Sequence, residues 1–146
     1  MKTFTTFALL ACLTSTAAAE TDVVVHVGSH HVDRSRNWNE TNAGLGVRRT
    51  FDNNAFVEVG AYKNSFYRNS VYTLIGYQPV VVGPIKAGLA SGLATGYGYA
   101  AVPIVATAVD LKIGSGGVRM IATPTVTRDG KTLNYGAVAF SVTKPF

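Results

Sequence analysis

The sequence predicts an all-β protein, an eight-stranded antiparallel transmembrane β-barrel preceded by a cleaved signal peptide. Three observations carry that prediction. Apolar residues alternate with small or polar ones through most of the chain, the period of a strand whose two faces meet different surroundings. The alternating segments run about nine to eleven residues, long enough to cross a bilayer at a tilt. The breaks between them also alternate, with short turns at one set of ends and longer, richer loops at the other.

The chain opens on an export pattern. Lys2 supplies a positive start, Phe7 to Leu13 an apolar run, and Ala17, Ala18 and Ala19 a small-residue cleavage site. That divides the sequence into a signal peptide, 1–19, and a barrel domain, 20–146. The stretch ending at Cys12 also matches a weak lipoprotein box; if Cys12 leaves with the signal, the exported chain has no cysteine to cross-link.

Strands are expected at 21–29, 42–51, 55–63, 70–80, 85–97, 106–113, 117–125 and 133–142. The first is strongly β-branched. A polar loop from His30 to Glu40 follows it. Asp52, Asn53 and Asn54 form a tight turn, Val82 to Pro84 another, and Gly114 to Gly117 a third. An irregular stretch through Pro103 precedes the sixth strand. In the last strand Val138, Phe140 and Val142 share a face with the terminal Phe146, which suits an outer-membrane insertion signal. A small secreted sandwich or a lipocalin-like barrel would share the alternation. Against both, one face of most strands is built from very small residues.

The hairpin from Glu58 to Pro79 carries the densest chemistry. Its tip, Lys63, Asn64 and Ser65, is followed by Phe66, Tyr67, Arg68 and Asn69, more functional groups than a turn requires. Further on, Gly88, Ala90, Gly92, Ala94 and Gly96 share one strand face. Either the lumen beside them is open enough to admit a ligand, or the glycines bend the strand at a barrel corner. Arg48 and Glu58 fall on the inward faces of adjacent strands and are expected to form a buried pair.

Several function classes are excluded. Net charge is +5, and +4 without Lys2, but the basic residues are scattered, with only Arg48 and Arg49 adjacent. That pattern suits anionic lipid headgroups better than nucleic acid. His26, His30 and His31 have only Asp33 and Glu40 near them and no cysteine, so neither a metal site nor a cofactor is expected.

The chain resembles the outer-membrane lipid A palmitoyltransferases from about His26 to Phe146. Lys63-Asn64-Ser65-Phe66 is similar to that family's Lys-Asp-Ser-Trp, and Ile75-Gly76-Tyr77 to its Ala-Gly-Tyr. Trp38-Asn39-Glu40 with Gly44-Leu45-Gly46 resembles its Tyr-Asn-Glu and glycine-rich strand. Pro103 and Pro124 fall near two prolines with which the family interrupts hydrogen bonding between strands.

The resemblance implies a barrel, working as a monomer in the outer membrane of a Gram-negative envelope. It would move a fatty acyl chain from a phospholipid donor to lipid A or a related lipid acceptor. His26, Asn64 and Ser65 are the implied catalytic residues; Gly88, Gly92, Gln78 and Tyr77 line the implied acyl pocket; Pro103 and Pro124 form the implied gate. Four features depart from the family, among them Gln78, which stands near where a glycine sets the floor of the family's acyl pocket. Asn64 stands where the family has an acid, so Asn64→Asp would restore it. The amphipathic N-terminal helix is missing, and Thr21 and Thr41 stand where its other prolines would fall. The alternative expectation is a non-enzymatic barrel that presents surface loops for protection or partner binding.

Overall fold

A computed structural model describes residues 19–128 and 131–146, with side chains given outside 126–135. The signal segment before Ala19 lies outside the described residues. Eight strands follow one another: β1 (Ala19–His31), β2 (Gly44–Phe51), β3 (Ala55–Lys63), β4 (Asn69–Val82), β5 (Ile85–Ala94), β6 (Val102–Ile113), β7 (Gly116–Arg128) and β8 (Lys131–Pro145). Each pairs antiparallel with the next, and β8 pairs back onto β1 to close the barrel. Closure pairs the two edge strands with each other, so the sheet has no free edge except where β6 and β7 separate. No helix among the described residues is long and apolar enough to cross a membrane.

The alternation in the sequence becomes the inside and outside of the wall. On β1, Asp22, Val24 and His26 turn inward, whereas Val25 and Val27 are exposed. On β4, Ser70, Tyr72 and Leu74 are buried between the exposed Val71 and Ile75. The outer surface therefore carries an apolar belt that includes Leu45, Leu89, Leu93, Val105, Phe140 and Val142. Inside, Phe56, Tyr72 and Leu74 pack with Ala90 and Ala94 of the neighbouring β5 and Ala108 of β6. Large residues on β3 and β4 thus fill the space left by small ones on β5 and β6, as the narrow lumen of an eight-stranded barrel requires.

Turn lengths fall into two sets. The β2–β3, β4–β5 and β6–β7 turns are tight, with Asn54, Gly83 and Gly114 at φ of 62°, 55° and 58°. The left-handed region suits glycine and asparagine, so these turns were readable in sequence. The opposite rim carries the longer connections 32–43, 64–68 and 95–101. Most strand ends differ from expectation: β1, β4, β7 and β8 run longer, with His30 and His31 inside β1 and not in the loop after it, and β2 begins two residues later. Two differences affect the site. The sixth strand begins at Val102 and takes in Pro103, which sits opposite Leu93 in the β5 ladder. β5 ends at Ala94, because Gly96 and Gly98 at φ 85° and 89° turn the chain out of the strand.

Between the two roles open to the glycines of β5, their contacts favour curvature. A Cβ on Gly92 would strike the carbonyl oxygen of Thr73, and one on Gly88 the carbonyl oxygen of Tyr77, both on β4. No side chain can move aside there, because the obstruction is backbone. Gly92→Leu should accordingly prevent the barrel from closing rather than shorten a bound chain. The measurement is the shift between unheated and heated protein on a detergent gel. A normally folded Gly92→Leu barrel would show that β4 and β5 can separate at that point.

Candidate functional site

Three arrangements carry chemistry: a chain of polar groups in the lumen, a fixed cap over the loop-side rim, and a break in the wall between β6 and β7.

The lumen chain begins at the tight-turn end. Arg48 and Glu58 are cross-strand partners, and both are buried. They do not pair with each other, which corrects the expectation from sequence. The Arg48 side chain crosses the lumen, donating from Nη1 to Asp110 Oδ2 at 2.7 Å and from Nη2 to Asp22 Oδ2 at 3.2 Å. Glu58 is held by Arg119 of β7, whose Nη1 donates to Oε2 and whose Nε lies 3.4 Å from Asp110 Oδ1. The Arg119 guanidinium also lies over the Phe56 ring, 4.7 Å from its centre. Arg48 with Asp22 and Arg119 with Asp110 are ladder partners, whereas Arg48 to Asp110 and Arg119 to Glu58 cross the lumen, so adjacency along the sheet identifies only part of the network.

Glu58 passes the chain on towards the rim. Its Oε1 accepts from the Tyr72 hydroxyl at 2.7 Å. The same hydroxyl lies 2.8 Å from His26 Nε2, and His26 Nδ1 lies 2.9 Å from Ser141 Oγ. Both ring nitrogens of His26 are thereby occupied by Tyr72 and Ser141, not by Asn64 or Ser65. The inward orientation of His26 agrees with the sequence reading; its partners do not belong to the tip.

At the rim, the tip closes around Asn64, which is fully buried. Its Oδ1 accepts from the backbone N–H of Phe66 at 2.9 Å and of Arg68 at 3.0 Å. Its Nδ2 donates to Ser70 Oγ and to the Gly96 carbonyl, both at 2.9 Å. Within this wrap Tyr67 is held at φ 62°, a conformation that costs a non-glycine residue roughly 1–2 kcal/mol. Asn64 therefore uses both ends of its amide to fix loop geometry. Ser65, 9 % exposed, is anchored through its carbonyl, which accepts from the Asn39 N–H at 3.0 Å.

The loop between β1 and β2 fastens onto this tip. Asn39 Nδ2 donates to the Asn64 carbonyl at 3.0 Å, and Asn42 Nδ2 to the Lys63 carbonyl at 2.9 Å. An aromatic row covers the opening: His31 stacks on Trp38 at 4.6 Å, Trp38 meets Phe66 edge-on, and Phe66 meets Tyr97. Tyr97 in turn shares a 2.7 Å hydrogen bond with the Tyr62 hydroxyl. Outside the row, Glu40 accepts from the His31 N–H at 3.1 Å and from Arg34 at 2.7 Å. These two donors, the backbone N–H foremost, hold the Glu40 carboxyl below its ordinary pKa.

The wall breaks between β6 and β7. Their pairing runs from Ile113↔Gly116 to Thr107↔Ala122 and stops there. Both strands continue, β6 to Val102 still bonded to β5, and β7 to Arg128 still bonded to β8. Pro103 and Pro124 lie on the separated lengths, and neither has an N–H to offer across the gap. Between the strands is a cavity of ≈ 380 Å³ lined by Leu89, Val105, Ala106, Thr107, Ala122, Thr123 and Pro124. Its lining combines the exposed Leu89 and Val105 with the buried Ala106, so the notch opens on the outer face and reaches into the wall.

The residues of the expected acyl pocket fall elsewhere. Tyr77 points outward, 54 % exposed, while Gln78 is buried beside a bulge in β4 and its N–H donates to the Asn54 carbonyl at 3.0 Å. Gln78 thus sits at the tight-turn end, near Gly88 but far along the strand from the tip. No cluster of three metal-ligating side chains occurs among the described residues. Sequence reasoning missed Tyr72, Arg119 and Ser141 as partners of the chain's key residues. The available signal was their parity: each is polar or amphipathic at an inward position, with outward apolar neighbours on both sides of Arg119 and Ser141 and on one side of Tyr72. Which strand each one meets depends on barrel closure.

Fold and site together define a small closed barrel with a polar, internally bonded lumen, an apolar outer face, a fixed cap and a notched wall. A comparison with known proteins finds no family model that matches the chain and no similar curated sequence.

Proposed function

We propose that this barrel resides in the outer membrane of a Gram-negative envelope. There it transfers a fatty acyl chain from a phospholipid to lipid A or a related lipid acceptor. The observation that carries the reading is the notch between β6 and β7 at Pro103 and Pro124. A barrel that acts on lipid needs a way for an acyl chain to leave the bilayer sideways. An unpaired, apolar-lined break in the wall supplies one without requiring the mouth to open. The apolar belt supports insertion, since its exposed valines, leucines and phenylalanines would be solvated by lipid chains. The lumen chain through His26 supplies groups able to move a proton.

The test is mass spectrometry of lipid A and phospholipids from cells with and without the protein. The expected result is an acceptor heavier by one acyl group, accompanied by lysophospholipid. Ala122→Trp, which puts a large ring into the notch, should reduce that product at least tenfold while the barrel still shows its folded gel mobility. An unchanged acyl pattern at good expression of folded barrel would remove the enzymatic reading.

The second reading is a non-enzymatic barrel that displays its loops, and the hydrogen bonding of Asn64 favours it. A tip held by four hydrogen bonds presents a constant surface, as a binding or protective loop would. The same lipid measurement separates the two readings.

A further inference from the structure

We propose that Ser141 is an acyl-accepting nucleophile, activated by His26 and positioned through Tyr72 and Glu58, inside the barrel rather than at its tip. The inference rests on the acyl-transfer reading and names the groups that would perform it.

The hydrogen-bond directions can be worked out from one end. Arg119 pairs with Glu58 and keeps it a carboxylate, which can only accept. The single hydroxyl proton of Tyr72 therefore goes to Glu58 Oε1. Because that proton is committed, the Tyr72 oxygen must accept from His26, which places the imidazole proton on Nε2. Nδ1 then has a free lone pair, and the group facing it at 2.9 Å is the Ser141 hydroxyl. The serine must donate to it. This is the relation of nucleophile, base and orienting acid that activates a hydroxyl, with a tyrosine inserted between base and carboxylate.

Strand register explains how the group assembles. Ser141 lies opposite His26 on β1 and opposite Arg119 on β7, so β8 brings the serine between its base and the arginine that braces the acid. All four members of the relay face the lumen. Ile121, two residues beyond Arg119 on β7, and Ile104 pack against the core that contains Tyr72. The side chains between the notch at Ala106 and the relay are therefore apolar, which suits an acyl ester and not a polar substrate.

The step balances without any oxidant, reductant or metal. Ser141 Oγ adds to the ester carbonyl of the acyl donor as its proton passes to His26 Nδ1. The resulting imidazolium is met by Glu58 through the Tyr72 hydroxyl. Collapse of the tetrahedral adduct breaks the ester bond, and the departing glycerol oxygen takes the proton from Nδ1, giving a seryl ester and a lysophospholipid. A hydroxyl of the acceptor then attacks the seryl ester, its proton passing to Nδ1 and back to Ser141 as the serine leaves.

The experiment treats the folded wild-type barrel in detergent with an alkyl fluorophosphonate and maps the adduct by peptide mass spectrometry. The expected adduct is on Ser141. His26→Ala should slow its formation about a hundredfold or more, the usual loss when a general base is removed. Ile121→Ala should speed it by widening the approach. Tyr72→Phe tests positioning: it should shift the pH profile of labelling, because Nε2 loses the acceptor that fixes the tautomer, whereas a packing role would leave the profile in place. A folded wild-type barrel with no adduct, or one modified at Ser65 instead, overturns the proposal. If Ser141→Ala leaves lipid acylation undiminished, Ser141 is not the nucleophile although acyl transfer stands. An acyl pattern that the wild type does not change fails the function itself.

Discussion

Arg119→Ala is expected to destabilise the barrel by about 3–5 kcal/mol, the cost of leaving a buried charge without its partner. Arg119 is 1 % exposed and faces Glu58 and Asp110. Its removal strands the Glu58 carboxylate, 2 % exposed, with only the Tyr72 hydroxyl for company. It also takes away the cation above Phe56 and leaves a cavity in the lumen. Unfolding in urea, followed by the fluorescence of the one tryptophan, Trp38, measures the loss. Removing both charges together, Arg119→Met with Glu58→Gln, should recover most of it, since the volume is kept and no ion remains unpaired. A single Arg119→Ala variant within about 0.5 kcal/mol of wild type would mean that water already reaches the pair.

The same residues show where sequence reasoning stops. The parity of Glu58 and Arg119 along their strands marks both as inward, because apolar neighbours flank them on the other face, and Arg48 shares the parity of its strand's inward positions although Arg49 follows it. Parity is a local property, and the period of two in a strand makes it reliable. Partnership is not local. Arg48 has two ladder partners, Asp22 and Glu58, yet bonds only Asp22 of the two and reaches Asp110 across the lumen. The contact across the lumen follows from barrel diameter and closure, which no single strand encodes. Ser141 illustrates the same limit. Its inward position follows from the outward Phe140 and Val142, but its place beside His26 exists only because β8 returns to β1.

The glycines of β5 and the prolines of β6 and β7 differ in an instructive way. For Gly88 and Gly92 the sequence left pocket and curvature open, since an absent side chain is compatible with empty space or with a close neighbour. The β4 carbonyls in their way favour curvature. For Pro103 and Pro124 a missing N–H has one direct consequence, a bond that cannot form, and the ladder between β6 and β7 does stop short of both. A residue that removes a capability is easier to interpret than one that merely permits several.

Asn64→Asp is the change for which resemblance and geometry predict opposite results. If the tip were a catalytic acid site, an acid there would raise activity. The hydrogen bonds around Asn64 predict destabilisation by about 3 kcal/mol instead, the order of cost for an unsatisfied buried group that also carries charge. One oxygen of the new carboxylate would keep the Phe66 and Arg68 N–H donors. The other would replace Nδ2 and face the Gly96 carbonyl, acceptor against acceptor. Ser70 could not compensate freely, because its hydroxyl already donates to the Thr95 carbonyl. The effect should depend on pH with a definite sign. Burial opposite a carbonyl raises the introduced carboxyl above its unfolded value of about 3.9. A folded pKa above the unfolded one means that the loss is absent below about pH 3.9. It then grows as pH rises through the folded value. Comparing urea midpoints of Asn64→Asp and wild type between pH 3.5 and pH 8 measures this directly, with Trp38 on the adjoining loop as reporter. Equal midpoints across that range, with increased lipid acylation, would show that Asn64 occupies an acid's place in catalysis and that its four hydrogen bonds are dispensable.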